Sequence, residues 1–256
     1  MEYLEIEGGN PLYGEVRIQG SKNAALPILS AVILHRGTTV LRNCPKIIDV
    51  LYMLEILKGF GCRVSWEGEA LVIEASDLAA CQVAECYGRQ MRSSIMLLGS
   101  LLGRMKQASV SYPGGCVIGE RPIDIHLGAL EKLGAVFAEE PSGLKAVCEK
   151  PVGLTLRLPF PSVGATENVI LLAASAEGTT VLENAAMEPE IGELCRFLNS
   201  MGAKIRGMGT DKLVIDGVRE FHDTEFTIMP DRIVAGTYML MTAAVGGDVR
   251  LLDVPL

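Results

Sequence analysis

A cysteine in a glycine-rich loop is the residue whose type and surroundings most clearly suggest chemistry. Cys116 lies in the run YPGGCVIGERP at residues 112–122, which holds three glycines and shows no apolar periodicity. The glycines leave the thiol accessible, and Arg121 is close enough in sequence to favour the thiolate or to bind an anion. The alternative is a small buried hydrophobe, the usual role of cysteine, which we favour for Cys44, Cys148 and Cys195. The loop predicts an accessible Cys116 at a functional site.

Polar helix starts form a second group of residues that could bind ligands. Ser21 can cap the helix that follows it, which leaves free backbone N–H groups and the positive end of the helix dipole beside Lys22. That combination suits a phosphate or a carboxylate, although an ordinary capped helix with a solvated lysine fits the same spacing. Arg92 and Ser162 occupy the equivalent position in two later repeats of the sequence. We expect the three helix starts to meet at one end of the fold.

The three histidines, His35, His126 and His222, are scattered without acidic or cysteine partners at ligand spacing. Metal sites need several ligands that converge, so we interpret all three as structural residues. The sequence also lacks a GxGxxG fingerprint and a P-loop, the glycine-rich patterns that bind dinucleotides and nucleoside triphosphates. We therefore expect neither a metal nor an organic cofactor.

An internal repeat determines the predicted elements. The run GTTVLRN at residues 37–43 returns as GTTVLEN at residues 178–184, and in both copies a further glycine, Gly61 or Gly202, follows 24 residues after the first. An amphipathic helix pattern lies between the glycines, and a short strand hairpin follows. A more diverged middle copy runs 31 residues, from Gly103 to Gly134. Part of its excess is the cysteine loop, and insertions in repeats commonly carry function.

Each copy is a β-α-β-α-β-β unit that also holds one apolar helix. Three units can bury their apolar helices together and turn their sheets outward, which predicts an inside-out α/β barrel with pseudo-threefold symmetry over residues 22–229. A fourth copy starts at residue 230 and stops at residue 256. We expect residues 1–21 and 230–256 to form part of a second, incomplete domain, in which residues 3–18 pair as strands with the fourth copy.

The composition is that of a packed α/β protein, with 256 residues of which 49% are hydrophobic. A formal net charge of −8 argues against broad nucleic-acid binding, which needs an excess of lysine and arginine. Seven irregularly spaced cysteines without a CxxC pair favour a reducing compartment. No signal peptide begins the chain, and no apolar stretch approaches the ~20 residues that span a bilayer. We expect a cytoplasmic protein that binds neither nucleic acid nor membranes.

Longer motifs resemble one family of enzymes. They are GSKNAALPI from residue 20, MRSSI from residue 91, PGGCVIGERP from residue 113, PSVGATEN from residue 161, EPEI from residue 188 and PDRI from residue 230. They run in the same order as in the UDP-N-acetylglucosamine enolpyruvyl (1-carboxyvinyl) transferases of the EPSP synthase-like superfamily, and the resemblance covers the whole chain. The repeats alone also fit the sister 3-phosphoshikimate 1-carboxyvinyltransferases, which lack the Pro-Gly-Gly-Cys loop.

The resemblance implies transfer of the enolpyruvyl group of phosphoenolpyruvate to the 3-hydroxyl of UDP-N-acetylglucosamine, with release of phosphate and without a cofactor. Lys22 and Asn23 would hold phosphoenolpyruvate, and Cys116 would be the general acid and the site of alkylation by fosfomycin. Phe160 stands where the family often has lysine. The implied contacts to the UDP-sugar are Arg92, Arg121, Pro122, Ile123, Asp124, Ile125, Phe160, Pro161, Ser162 and Val163.

The resemblance also implies a role and a further requirement. The reaction is the first committed step of peptidoglycan precursor synthesis, and so belongs to cell wall biogenesis, cell shape, the cell cycle and cell division. Family members continue for two more repeats, which carry the aspartate proposed to deprotonate the sugar hydroxyl. We expect those repeats, or another chain, to be needed to complete the cleft. The alternatives are an inactive UDP-sugar-binding paralogue or fragment, and the shikimate-phosphate enzyme.

Overall fold

The computed structural model describes residues 3–88, 90–111, 123–141 and 143–254 as a mixed α/β protein. A 3₁₀ turn, Val32–Leu34, continues the first helix, and another, Arg92–Met96, precedes the fourth. The helices in the described residues are α1 Lys22–Ala31, α2 Ile48–Phe60, α3 Glu85–Gly88, α4 Leu97–Met105, α5 Asp124–Lys132, α6 Val163–Ala173, α7 Pro189–Ser200 and α8 Arg232–Val245. None of them is both long and apolar enough to cross a bilayer.

The strands pair into three sheets of three or four strands and one separate parallel pair. The orders are β12-β2-β4-β3, β5-β7-β6, β8-β9-β11-β10 and β1-β13. Their bounds are β1 Leu12–Arg17, β2 Thr38–Arg42, β3 Arg63–Glu67, β4 Ala70–Glu74, β5 Gln107–Val110, β6 Val136–Glu140, β7 Gly143–Val147, β8 Thr155–Arg157, β9 Thr179–Glu183, β10 Lys204–Arg206, β11 Lys212–Asp216, β12 Thr224–Thr227 and β13 Gly247–Leu252.

The repeat predicted from the sequence is present in the structure. In each of the three units an amphipathic helix is followed by a glycine with positive φ and then by a hairpin: Gly61 has φ 106°, Gly134 has φ 104° and Gly202 has φ 100°. A residue with a β-carbon rarely adopts that left-handed conformation, so glycine is the natural end of the helix. The recurrence of glycine in the sequence therefore marks a recurrent helix end.

The apolar helices α1, α4 and α6 lie in the centre and pack closely. Ser30 of α1 and Ser100 of α4 share a buried hydrogen bond of 2.8 Å between their hydroxyl oxygens. A β-carbon added at Gly99 would lie 2.5 Å from the carbonyl oxygen of Asn168 on α6, so only glycine allows this approach. In β9 every second residue is buried, and this strand contacts α6.

Two of the central helices begin at other residues than the apolar pattern predicts. The apolar residues predict the third central helix over residues 167–176, but it begins at Val163 because the Ser162 hydroxyl caps it. The second central helix, predicted over residues 91–102, begins instead as the 3₁₀ turn and becomes α-helical at Leu97.

The chain passes twice through one narrow connection. The Ser21 amide donates to the Met229 carbonyl at 2.8 Å, and the Asp231 amide donates to the Gln19 carbonyl at 2.9 Å. A β-carbon at Gly20 would lie 1.8 Å from the carbonyl oxygen of Asn43, so the connection can pass this close to the end of β2 only with glycine. Beyond the connection β1 pairs with β13, as expected, and α8 packs on both. On the other side β12 joins β2 and completes the first sheet.

Candidate functional site

Three helix starts meet at one cleft, as predicted from the repeats. The cleft has a volume of about 860 Å³ and is lined by Lys22 and Asn23 of α1, Arg92 of the 3₁₀ turn, and Ser162 and Val163 of α6. Backbone N–H groups and the positive ends of helix dipoles at such positions favour anions. The three helix starts are far apart in sequence, and the repeats predict their meeting because the starts hold equivalent positions in the three units.

Two of these helix starts have the serine caps that the sequence predicts. The Ser21 hydroxyl accepts a hydrogen bond from the Ala24 amide at 3.3 Å, and the Ser162 hydroxyl accepts one from the Ala165 amide at 3.4 Å. Each cap satisfies one amide of the first turn, so the earlier amides of α6 remain available to a ligand.

Lys22 is fixed by carboxylates on both sides of the connection. Its Nζ donates to Oδ2 of Asp49 at 2.9 Å, and its backbone amide donates to Oδ2 of Asp231 at 3.1 Å. Asp231 also caps α8 through the amides of Ile233 and Val234. The lysine side chain is about half exposed, so its ammonium group can reach an anion in the cleft without leaving Asp49 entirely.

His126 belongs to the cleft wall, which sequence reasoning missed. It lies on α5, lines the cleft and is 5% exposed. Its Nδ1 is 2.9 Å from Nδ2 of Asn168. Burial and, to a smaller extent, the Arg92 cation lower the pKa of His126 from 6.5 to about 4, against an opposing effect of Asp124. The imidazole is therefore neutral at physiological pH, and its role depends on a tertiary contact that spacing does not reveal.

A group of acidic residues lines a pocket of about 390 Å³ that adjoins the cleft, and two of them, Glu167 and Glu188, line the cleft as well. Glu190 forms hydrogen bonds of 2.9 and 3.1 Å with Arg232. Glu167 is 4% exposed, and burial together with the neighbouring Glu190 and Glu188 raises its pKa from 4.5 to about 8. Glu167 is therefore mostly protonated at neutral pH. The one sign of this in the sequence is an acidic residue one turn into the otherwise apolar helix α6.

Of the other residues predicted to contact the UDP-sugar, two line the cleft and three lie elsewhere. Phe160 and Pro161 line the cleft, and Phe160 is 62% exposed. Asp124 and Ile125 line a separate pocket of about 160 Å³ beside β8, and Ile123 packs against the hydrophobic core. The cleft as described is thus assembled without these three residues.

Three predicted residues lie outside the described part of the chain: Cys116, Arg121 and Pro122. The expectation of an accessible thiol stays a prediction. Within the described residues, no group of three or more His, Cys, Asp or Glu side chains is arranged to hold a metal ion. The groups that the described cleft offers to a ligand are cations, amides, hydroxyls and carboxyls.

Comparison with known proteins identifies the family. The family model for EPSP synthase (3-phosphoshikimate 1-carboxyvinyltransferase) matches residues 6–256. The chain belongs to the EPSP synthase family. Among solved structures, this family member resembles the enolpyruvyl transferase NikO from Streptomyces tendae, with a TM-score of 0.79 and 23% identity over 91% of this chain and 56% of that one. It also resembles EPSP synthase from Acinetobacter baumannii, with a TM-score of 0.75 and 20% identity over 97% of this chain and 57% of that one. At these identities the likeness shows the fold.

Curated relatives of this EPSP synthase family member have a more specific name. The chain is 49% identical to UDP-N-acetylglucosamine 1-carboxyvinyltransferase 2 of Caldanaerobacter subterraneus subsp. tengcongensis, over 98% of this chain and 60% of the relative. It is 45% identical to UDP-N-acetylglucosamine 1-carboxyvinyltransferase of Solidesulfovibrio magneticus, over the same shares of each chain. The chain therefore spans about 60% of the length of these relatives.

Proposed function

We propose that this chain forms one wall of the substrate cleft of a UDP-N-acetylglucosamine 1-carboxyvinyltransferase. The enzyme would transfer the enolpyruvyl group of phosphoenolpyruvate to the 3-hydroxyl of UDP-N-acetylglucosamine and release phosphate, the first committed step of peptidoglycan precursor synthesis. The observation that carries the proposal is the meeting of three helix starts, with Lys22 and Arg92, at one cleft. Relatives at 44–49% identity with that name support the choice of sugar acceptor.

The charges of the cleft suit two anionic substrates. Phosphoenolpyruvate would lie at the start of α1 against Lys22 and Asn23, where an ammonium group, an amide and the helix dipole act together. The UDP-sugar would extend from Arg92 to Ser162 and Val163, so that its diphosphate faces the first turn of α6. The two cations of the lining, Lys22 and Arg92, can attract such ligands locally even though the whole chain is acidic and Asp49 and Glu188 line the same cleft.

The reaction needs a proton at one carbon of phosphoenolpyruvate. The sugar hydroxyl oxygen adds to C2 while a proton is delivered to C3, and loss of phosphate from C2 with a proton from C3 restores the double bond. We assign the delivery to Cys116, since a positioned acid typically accelerates such steps by ~10²–10⁴-fold. The base that takes the hydroxyl proton belongs, in this proposal, to the further repeats that relatives have.

The proposed domain division follows the connection at Gly20. Residues 22–229 would form a complete inside-out barrel, and residues 1–21 with 230–256 would belong to a second domain that further repeats or another chain complete. We also propose cytoplasmic location, a role in cell division and cell shape through the cell wall, and inhibition by fosfomycin at Cys116. The proposed ligands are small molecules, with neither nucleic acid nor membrane as partner.

The test is phosphate release by the purified 256-residue chain with both substrates and with each omitted. Release that requires both, is lost in Cys116→Ser and is retained in Cys86→Ser would support the reaction and the role of Cys116, and would mean that the base lies in this chain or in a second copy of it. Cys86 is a matched control because it is exposed on α3. Release with 3-phosphoshikimate in place of the UDP-sugar would indicate the sister activity. If neither release nor UDP-sugar binding occurs with folded protein, the proposal is wrong for this chain.

A second candidate function is binding of the UDP-sugar without turnover. It is supported by the cleft lining, which brings together the proposed UDP-sugar contacts Arg92, Ser162 and Val163. Saturable binding of UDP-N-acetylglucosamine without phosphate release would support it over catalysis.

A further inference from the structure

We propose that a phosphorylated small molecule binds at the end of the central helices opposite to the cleft, in a pocket of about 570 Å³ that we call the basic pocket. The cleft lies at the starts of the central helices, whereas Leu34, Gly103 and Ser175 line the basic pocket at or just beyond the ends of the same helices. Helices of this length separate the two sites by roughly 15–20 Å, since each residue adds about 1.5 Å. The basic pocket is therefore a second site, which does not depend on the proposed function.

Positive charge dominates the lining of the basic pocket. Cations outnumber acids by four to one: Arg36, Arg104, Lys106 and Arg219 against Glu220. The whole chain, in contrast, has a formal net charge of −8. A local excess of cations attracts anions whatever the overall charge, and the volume lies within the range of about 300–1,000 Å³ that is typical of small-molecule sites.

Two of these cations have a structural role that needs no ligand. The Nζ of Lys106 donates to the Gly103 carbonyl at 2.9 Å in the last turn of α4. The guanidinium group of Arg104 donates at 2.6–3.3 Å to the backbone carbonyls of Ile33, His35, Ala75 and Ser76. Cations at helix ends stabilise the carbonyl groups that point outward there.

Arg36 and Arg219 are not explained in this way. Within the described residues, neither guanidinium group forms a hydrogen bond or an ion pair, and both residues are exposed. Arg219 acts electrostatically on Glu177, but Glu177 pairs with Lys150 at 2.5 Å. The N–H groups of both arginines can therefore donate to a ligand in the pocket that they line.

The arginines of the basic pocket also lie close enough to repel each other. Burial and then the charge of Arg36 lower the pKa of Arg104. Cys62 and Asp77 act in the opposite direction. An anion between the two guanidinium groups would offset this repulsion, so the free energy of binding gains from both charges.

The basic pocket is formed before a ligand binds. A β-carbon added at Gly103 would lie 2.6 Å from Oγ of Ser175 and 2.9 Å from Cδ2 of Leu34, so the three helix ends touch at its floor. The wall that carries Arg219 follows Val218, whose amide donates to the carbonyl just beyond α6 at 2.9 Å. A ligand thus meets walls that are already ordered, which lowers the entropic cost of binding.

These features favour a phosphate monoester with an uncharged organic part. A phosphate group carries about 1.5–2 negative charges at pH 7 and has three strong acceptor oxygens, and guanidinium groups bind such oxygens through paired N–H groups. The pocket has room beyond the phosphate, and Leu34 and Phe221 give that part of the lining an apolar surface.

The test is titration with phenyl phosphate, a monoester whose organic part is an apolar ring, followed by backbone amide NMR of the whole chain. We expect saturable shifts at the amides of Gly103, Ser175 and Phe221. Phenyl sulfate has the same shape and a single negative charge, and inorganic phosphate lacks the ring, so both should bind more weakly. Inorganic phosphate that binds as tightly as phenyl phosphate would overturn the assignment to an organic phosphate.

Charge-removing variants locate the binding site. Arg36→Gln and Arg219→Gln should each weaken binding of phenyl phosphate by about threefold, and the double variant by about tenfold or more. Because both side chains are exposed and form no hydrogen bond in the described residues, these variants should fold. Arg63→Gln, which removes an exposed arginine of β3 outside the pocket, is the matched control and should bind like the wild type.

The cleft supplies the opposing comparison. Lys22→Gln should leave the affinity for phenyl phosphate at the basic pocket unchanged. Weaker binding in Lys22→Gln, together with wild-type binding in the Arg36 and Arg219 variants, would place the probe in the cleft and overturn the inference. No saturable binding by the folded chain would mean that the cations serve only the helix ends, and would overturn it as well. Neither result would change the proposed transferase function, which concerns the cleft.

Discussion

Replacing Glu167 with glutamine should stabilise the protein at neutral and alkaline pH. Glu167 is 4% exposed, and burial, Glu190 and Glu188 raise its pKa to about 8 from the ordinary value of 4.5. Between those two values the folded protein holds a proton that the unfolded chain releases. Folding must therefore take up that proton, and the cost grows as the pH rises.

The size of the effect follows from the two pKa values. Each unit of difference is worth about 1.36 kcal/mol, so the carboxyl destabilises the fold by roughly 3 kcal/mol near pH 7 and by little near its ordinary pKa. Stability from this group is thus highest in acid and is lost as the pH rises from about 4.5 towards 8. A glutamine has no proton to take up, so Glu167→Gln removes the pH-dependent part and leaves any packing change constant.

The assay is urea unfolding of both proteins at about pH 5 and about pH 8. We expect the stability of Glu167→Gln relative to the wild type to rise by roughly 3 kcal/mol between the two conditions. Glu139→Gln, at an exposed position of β6, controls for loss of a carboxylate in general. A difference between wild type and Glu167→Gln that does not change with pH would refute the argument that this buried carboxyl is protonated in the fold.

Three further predictions concern packing, cysteine reactivity and acid stability. Gly20→Ala should destabilise the fold by several kcal/mol in urea unfolding, because its β-carbon would lie 1.8 Å from a backbone oxygen. The control is Gly59→Ala, which should be neutral or slightly stabilising because its β-carbon would meet nothing within 4 Å. Equal effects of the two variants would contradict the geometry. Iodoacetamide should label exposed Cys86 in the native protein but spare Cys44, since burial raises the pKa of Cys44 to about 12. Mass spectrometry that finds Cys44 of the native protein labelled as fast as Cys86 would disprove this. Burial lowers the pKa of His126 to about 4 from 6.5, so the free energy of unfolding should fall by about 3 kcal/mol as the pH falls from 6.5 to about 4. The stability of His126→Gln should depend less on pH over this range. An identical pH dependence in the variant and the wild type would count against a buried neutral imidazole.

The repeat made much of the fold predictable from the sequence. The recurrent glycines after the amphipathic helices coincide with positive φ at Gly61, Gly134 and Gly202. The strands Ala70–Glu74 and Lys212–Asp216 belong to the hairpins that the sequence predicts after the first and the third amphipathic helix. Both signals are local, since a left-handed helix end needs glycine and an alternating strand shows in neighbouring residues.

The features that escaped prediction depend on contacts between distant residues. His126 looks like an ordinary structural histidine until α6 brings Asn168 to its ring. Glu167 continues an apolar helix in sequence, and its raised pKa arises from burial beside acids that come later in the chain. The pairing of α8 with α7 through Arg232 and Glu190 is equally non-local. The spacing of residues in a single sequence does not reveal such contacts.

Calorimetric titration with UDP-N-acetylglucosamine tests the central claim, that the cleft at the three helix starts is the substrate site. The wild-type chain should bind saturably, and Arg92→Gln should bind at least about tenfold more weakly, as expected when a charged hydrogen-bond donor to phosphate is lost. Lys145→Gln, which removes an exposed cation of β7 instead, should bind like the wild type. No binding by the folded wild type, or equal affinity for wild type and Arg92→Gln, would contradict the account.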